Sequence, residues 1–210
     1  MGALLTVIAG LLVTLTVVVW AAVLLTGSPS HVDAGTLPAN RPAAAAVPAA
    51  VNVPRPATLA AGRPGGPPRR LQLAALSVDA PVEPVGVASD GSLGVPVDVH
   101  TLGWWDHSAP AGATAGTTVI DGHVDSAIAG PGALFHLAGT PLGASITLTS
   151  ASRTFRYTVQ ARRSYPKSRL PADVFTRTGP ARLVLLTCGG SFDTTAGHYS
   201  NNIVVYATPG

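Results

Sequence analysis

The sequence predicts an all-β domain, folded as a closed or nearly closed barrel and preceded by an apolar segment and a proline-rich linker. Three observations carry this prediction. Short β-patterned runs recur at regular spacing between Gly/Pro/Asp/Asn turns, with almost no helical periodicity. Every aromatic residue except Trp20 lies between Trp104 and Tyr206, so the compact part begins near Arg69. Charged residues make up only 11% of the 210 residues, against ~25% in an average soluble domain, while hydrophobic residues make up 47%. That imbalance points to a membrane segment and an Ala/Pro-rich stretch, and both occur.

The first element runs from Leu4 to Leu25. These 22 residues carry no charge, and as a helix they would span ~33 Å, matching the ~30 Å hydrocarbon core of a bilayer. A signal-peptide apolar region is shorter, ~7–15 residues, so residues 1–26 read as an N-terminal membrane anchor, with an uncleaved signal as the alternative. Residues 27–70 contain 9 Pro, 5 Gly and 11 Ala and no aromatic residue. Such a composition cannot bury enough apolar surface to offset chain ordering, so 27–68 reads as a disordered linker. It would reach ~35 Å as a coil and ~135 Å in polyproline form.

Residues 69–210 form the domain, with predicted strands at 71–76, 82–87, 117–122, 145–149, 154–161, 182–187 and 202–207. Phe155, Tyr157 and Val159 alternate with Arg156, Thr158 and Gln160, as in a half-buried strand. Leu183 to Leu186 is apolar throughout, as in a central strand. Short helical turns are expected at 132–137 and 171–176. The domain carries 10 basic and 9 acidic residues. This near-neutrality argues against nucleic acid as a partner, which needs clustered Lys/Arg on phosphates.

The chemistry-bearing candidates are Cys188 and His123. Cys188, the only cysteine, follows the apolar run 182–187 and precedes Gly189-Gly190. A lone thiol can be a small buried hydrophobe, but beside a flexible Gly-Gly at a strand's end it is well placed to meet a substrate. His123 sits in Ile120-Asp121-Gly122-His123-Val124-Asp125, where another β-run ends in a glycine and a polar group. An imidazole there could take the thiol proton and later protonate a leaving amine, or be held structurally by Asp121 or Asp125. His107 and His136 read as loop and core positions, His100 and His198 as turn residues.

The order and spacing of these motifs resemble the sortases, most closely the actinobacterial class F type. The resemblance covers about residues 70–208 and rests on Gly-His-Val-Asp at 122–125, Gly130-Pro131-Gly132-Ala133-Leu134-Phe135, Tyr165-Pro166-Lys167, Leu185-Leu186-Thr187-Cys188-Gly189-Gly190-Ser191-Phe192-Asp193 and Tyr199-Ser200-Asn201-Asn202-Ile203-Val204-Val205. It implies a barrel of about eight strands and transpeptidation at the surface of a Gram-positive cell. Cys188 would attack the Thr–Gly carbonyl of an LPXTG-like sorting signal on a surface protein, forming a thioester. An amine of a peptidoglycan precursor, a pilin lysine or water would resolve it. His123 would be the general acid/base and Thr187 would line the peptide groove. Residues 163–181 would form the groove wall, to which Leu170, Val174 and Phe175 belong either as groove or as core residues. No cofactor is implied. With Asp173 as the sole carboxylate in that segment, no calcium site is expected, because Ca²⁺ takes ~6–8 oxygen ligands.

One position departs from the family pattern. Sortases carry an arginine at the start of the final strand, where this sequence reads Tyr199-Ser200-Asn201-Asn202, and no Arg or Lys follows Arg182. Asn201 or Asn202 could donate to the oxyanion, Arg177 or Arg182 could reach the site, or turnover could be lost. The last would make the domain a non-catalytic peptide-binding module. A cysteine L,D-transpeptidase is a further alternative, against which stands Thr187-Cys188-Gly189-Gly190 in place of that family's Ser-x-Gly-Cys followed by Arg.

Overall fold

The computed structural model describes residues 32–38, 65–89 and 91–210. The expected membrane anchor lies outside them, and no helix among the described residues is long and apolar enough to cross a membrane. In chain order the strands are β1 (Ala34–Gly35), β2 (Pro68–Leu73), β3 (Val78–Val85), β4 (Leu102–Trp105), β5 (Thr117–Asp121), β6 (Asp125–Ser126), β7 (Gly130–Pro131), β8 (Ser145–Ser150), β9 (Thr154–Pro166), β10 (Arg182–Asp193) and β11 (His198–Pro209). The main sheet runs β1-β9-β11-β10-β5-β4-β3-β2-β8, and β8 also pairs with β9. That second pairing closes eight strands into a barrel, with β1 added outside on β9. β3–β4 and β5–β10 are parallel and the other barrel pairings antiparallel.

All seven predicted strands form, but three are longer than their hydrophobic patterns. β9 runs on to Pro166, β10 passes Cys188 to Asp193, and β11 begins at His198. Cys188 therefore lies within a long β10–β11 hairpin rather than at a strand's end. Gly189-Gly190 does not stop the strand because the hairpin absorbs it in a register shift between Gly189 and Phe192. Gly190 has φ +80°, and a Cβ there would come within 2.4 Å of Ser200 Oγ, so only glycine fits. β4, only Leu102 to Trp105, is too short to show a period and goes unpredicted. The 3₁₀ turn at Ala172–Phe175 falls where a helical turn was expected, whereas the one expected at 132–137 forms at Leu137–Gly139.

The linker reading needs correction at residues 32–38. β8 leaves β9 beyond Thr158, so the rest of β9 presents an open edge, and β1 pairs there through Ala34–Arg162 and Gly35–Ala161. Arg162 Nε donates to the Val32 carbonyl (2.9 Å), Arg163 donates to the carbonyls of Ala34 and Gly35, and the Ser164 N–H donates to Asp33 Oδ1 (2.7 Å). Gly35 has φ +75° and approaches the Gln160 carbonyl so closely that no side chain could replace its hydrogen.

Strand alternation sorts the apolar residues into two clusters. Leu71, Leu73, Leu102, Trp104, Ile120, Ile146, Leu148, Leu183, Leu185, Ile203 and Val205 fill the barrel. Ala161, Val184, Leu186, Val204 and Tyr206 point outward and are covered by Val174. Arg182 secures that cover. It is 5% exposed, donates from Nε to Thr117 Oγ1 (2.8 Å), pairs with the Asp173 carboxylate (3.3 Å), donates to the Asp173 carbonyl, and stacks on the Tyr206 ring. It stands six residues before Cys188, ~20 Å along the strand, which removes it from the candidate site.

Asp121 is the other buried polar group of consequence. It faces outward beside Gly103, where a Cβ would come within 2.4 Å of its Oδ1. That oxygen has no hydrogen-bond partner among the described residues, and burial pushes the carboxyl up to about 7.

Two predictions follow from this packing. Arg182→Ala should lower stability by about 3 kcal/mol in urea denaturation, because it strands Thr117 and Asp173. It should leave Cys188 alkylation unchanged; a loss of reactivity would return Arg182 to the site. The folded Asp121 carboxyl holds its proton above the ~3.9 of an unfolded aspartate, so its contribution is fully present below about pH 4 and is lost as pH rises towards 7. Asp121→Asn should accordingly gain thermal stability relative to the parent between pH 5 and pH 8. Parallel melting curves across that range would contradict it.

Candidate active site

The site grows from the parallel pairing of β5 and β10, in which Leu183 to Leu186 run beside Thr118 to Asp121. Beyond Asp121 the ladder continues for one more bond, from the Gly122 N–H to the Leu186 carbonyl (3.2 Å). Thr187 then donates its hydroxyl to the Gly122 carbonyl (2.7 Å). His123 and Cys188 each follow immediately after a partner in this latch, so two residues 65 apart in sequence leave the β5–β10 pairing from adjacent positions. Thr187 is 4% exposed and faces inward. It does not line a groove, contrary to expectation, because strand alternation puts it on the opposite face from Cys188.

His123 is held by backbone. Its Nε2 lies 2.8 Å from the Pro96 carbonyl, and since a carbonyl only accepts, Nε2 carries the proton. Nδ1 is then the atom free to exchange a proton with a neighbour. Neither Asp121 nor Asp125 bonds the ring. The backbone after His123 is pinned by bonds from Leu134 N–H to the His123 carbonyl and from Gly132 N–H to the Val124 carbonyl. Gly132 is required here, since a Cβ would sit 2.5 Å from the His123 carbonyl oxygen. His107 and His136 are both exposed, His107 edge-on to Trp105 at 6.2 Å, and His136 is not a core residue.

Cys188 is half-buried and unpaired. It shares the outward face of β10 with Val184 and Leu186, and its cross-strand neighbour is Asn202. The two asparagines are separated by strand alternation. Asn202 shares the face of Cys188, and its amide has no side-chain partner among the described residues. Asn201 faces the other way and donates from Nδ2 to Ser164 Oγ (2.8 Å). Neither belongs to a turn before the final strand, because β11 begins at His198.

The outward face around Cys188 is apolar, and residues from the 163–181 segment gather over it. Val174 is completely buried and acts as core of that cluster. Leu170 and Phe175 are half-buried at its margin, and Phe175 packs edge-on against Trp105 at 5.6 Å. Leu93, from the connection between β3 and β4, closes another margin. The result is an apolar outer cluster beside the stretch of β10 that precedes Cys188.

Two neighbours of the pair went unassigned in the sequence. Tyr199 donates its hydroxyl to Asp125 Oδ2 (2.5 Å). That bond, with some burial and the nearby charges of Asp125 and Cys188, raises the phenol above its ordinary range. Asp125 stands two residues after His123, and its proximity was legible; its partner across the site was not.

Comparison with known proteins agrees with this geometry. The sortase domain model matches residues 71–210. No curated protein sequence matches significantly. Sortase A from Corynebacterium diphtheriae (a lid mutant) superposes with a TM-score of 0.54 at 19% identity, over 73% of this chain and 74% of that one. Sortase C1 from Streptococcus agalactiae gives 0.53 at 15% identity, over 68% and 66%. Sortase C-1 from Actinomyces oris gives 0.52 at 16%, over 67% and 72%. At such identities the structures share the fold, an eight-stranded closed barrel. The family match covers the whole barrel, including the latched strands that carry His123 and Cys188, and the chain belongs to the sortase family.

Proposed function

We propose that this protein is a cell-surface cysteine transpeptidase of the class F type, held to the membrane by residues 4–25. Its substrates in this reading are surface proteins with a C-terminal LPXTG-like sorting signal. The observation that supports it is the Thr187–Gly122 latch, which bonds the residue before the single thiol to the residue before a histidine whose Nε2 is held by the Pro96 carbonyl. Family membership leaves the L,D-transpeptidase alternative without support.

The reaction follows from these groups. His123 Nδ1 takes the Cys188 proton, and the thiolate attacks the carbonyl carbon between Thr and Gly of the signal. A C–S bond forms and the carbonyl oxygen becomes an oxyanion. Asn202 is the donor suited to it, since its amide is uncommitted and on the thiol's face, whereas Asn201 is bonded to Ser164. Collapse breaks the C–N bond, and the imidazolium returns its proton to the departing amine. An acceptor amine, from a peptidoglycan precursor or a pilin lysine, attacks the thioester and restores the thiol. The apolar wall with Leu170 and Phe175 at its margin suits the signal's Leu-Pro.

A second reading has one observation in its favour. No basic residue follows Arg182 in the sequence, and a barrel without that charge could bind a sorting peptide without turning it over.

The test is the intact mass of the full chain after incubation with an LPXTG-type peptide, with and without an added amine. The expected gain equals the peptide cleaved after Thr, is lost on hydroxylamine treatment and is absent in Cys188→Ala. His123→Ala should slow capture by ~10²–10⁴, and Asn202→Ala by ~10²–10³, while Asn201→Ala should have little effect. Peptide binding with no mass gain would favour the non-catalytic module.

A further inference from the structure

Tyr199 and Asp125 bracket the proposed pair from the side opposite the latch in chain order. Thr187 and Gly122 precede Cys188 and His123 by one residue each; Tyr199 and Asp125 belong to the segments that follow them. Tyr199 lies on β11 opposite Phe192, with the two rings edge-on at 5.1 Å. Asp125 opens β6, a two-residue strand paired with β7 through Pro131. The Asp125 segment is pinned to the loop that follows it, whereas the Tyr199 segment is weakly held on its own. Past the register shift at Gly189, the β10–β11 hairpin is a two-stranded ribbon largely exposed to solvent, and such ribbons are marginal in isolation. The bond from Tyr199 Oη to Asp125 Oδ2 is charge-assisted and joins the two segments directly.

We propose that the Tyr199–Asp125 bond is a positioning clasp that holds the loop carrying His123 against the hairpin carrying Cys188, and so sets how readily the thiol ionises. The inference rests on Cys188 being the nucleophile. Tyr199 acts through the His–Cys geometry and not on substrate, because its single O–H is committed to Asp125. A displacement of ~1 Å at such a pair can cost ~10²-fold in rate, which makes one bond from a pinned loop to a weakly held hairpin end consequential.

The test uses the full chain and needs no sorting peptide. Alkylation of Cys188 by iodoacetamide is followed by intact mass against pH for the parent, Tyr199→Phe and Asp125→Asn. Tyr199→Phe should react ~10-fold more slowly at pH 7, with a midpoint higher than the parent's and with an unchanged circular dichroism spectrum and melting temperature. Asp125→Asn retains an oxygen acceptor for the phenol and should stay within about threefold of the parent rate. Carbon-13 NMR of labelled tyrosine reads the clasp itself: the Tyr199 phenol, identified as the resonance lost in Tyr199→Phe, should titrate above the ordinary tyrosine range and shift down in Asp125→Asn.

An unchanged rate and midpoint in Tyr199→Phe would overturn the clasp while leaving the nucleophile intact. So would an Asp125→Asn variant that falls as far as Tyr199→Phe, since the charge and not the bond would then be responsible. A parent thiol no more reactive than a free-thiol peptide, and indifferent to His123→Ala, would overturn the nucleophile reading and the clasp with it.

Discussion

The parallel pairing of β5 with β10 is the constraint on which the rest of this structure depends. Parallel neighbours cannot be joined by a tight turn, so the chain between them must make a long excursion. Here that excursion contains β6 to β9, after which β10 returns to lie beside β5 and β11 joins it to β9 to close the barrel. The regular ladder ends at Asp121 and Leu186, where His123 and Cys188 are still to come. Two further bonds, Gly122 to Leu186 and Thr187 to Gly122, carry the alignment to within one residue of both. A hydroxyl–carbonyl bond contributes only ~1 kcal/mol net to stability, but its place in the chain gives it a geometric effect far larger than that figure.

The same sheet has to serve two apolar faces. Its inner face fills the barrel, and its outer face, along β10 and β11, carries a second cluster that needs its own cover. Val174 supplies that cover, anchored by a buried arginine that reaches both the barrel wall and the Asp173 backbone. Fully burying one such aliphatic side chain contributes ~1.5–3 kcal/mol. Cys188, two residues beyond Leu186 on the same face, lies outside that cluster and is half-buried. Arg182 thus has a structural task, and the charge that might have served the site is spent on holding its wall.

Electrostatics near the thiol consequently rest on neutral donors and one carboxylate. Strand alternation alone distinguishes Asn202, on the thiol's face, from Asn201, which is bonded to Ser164. Asp125 is taken up by Tyr199, and Asp121 is buried beside Gly103. Of these four neighbours Asn201, Asp125 and Asp121 do not do what adjacency in sequence suggests, because the side on which a side chain emerges matters more than its distance along the chain.

The sequence by itself determined the all-β class and seven of the eight barrel strands, and it singled out Cys188 and His123 as the candidates for chemistry. These are local or compositional properties. Alternation in 154–161, the unbroken apolar run 183–186 and the confinement of aromatics to 104–206 are all written in neighbouring residues. Only the tertiary structure decided what depends on who stands across the sheet. It turned Gly189-Gly190 from a strand terminus into a bulge, gave residues 32–38 an edge on β9 through Arg162 and Arg163, and sent Arg182 to the far end of β10. It also faced Thr187 inward and joined Tyr199 to Asp125. Register and facing are set by partners 65 or more residues away for the latch and the clasp, and about 130 for β1. A local pattern states which residues can form a strand, but not which strand will lie beside it.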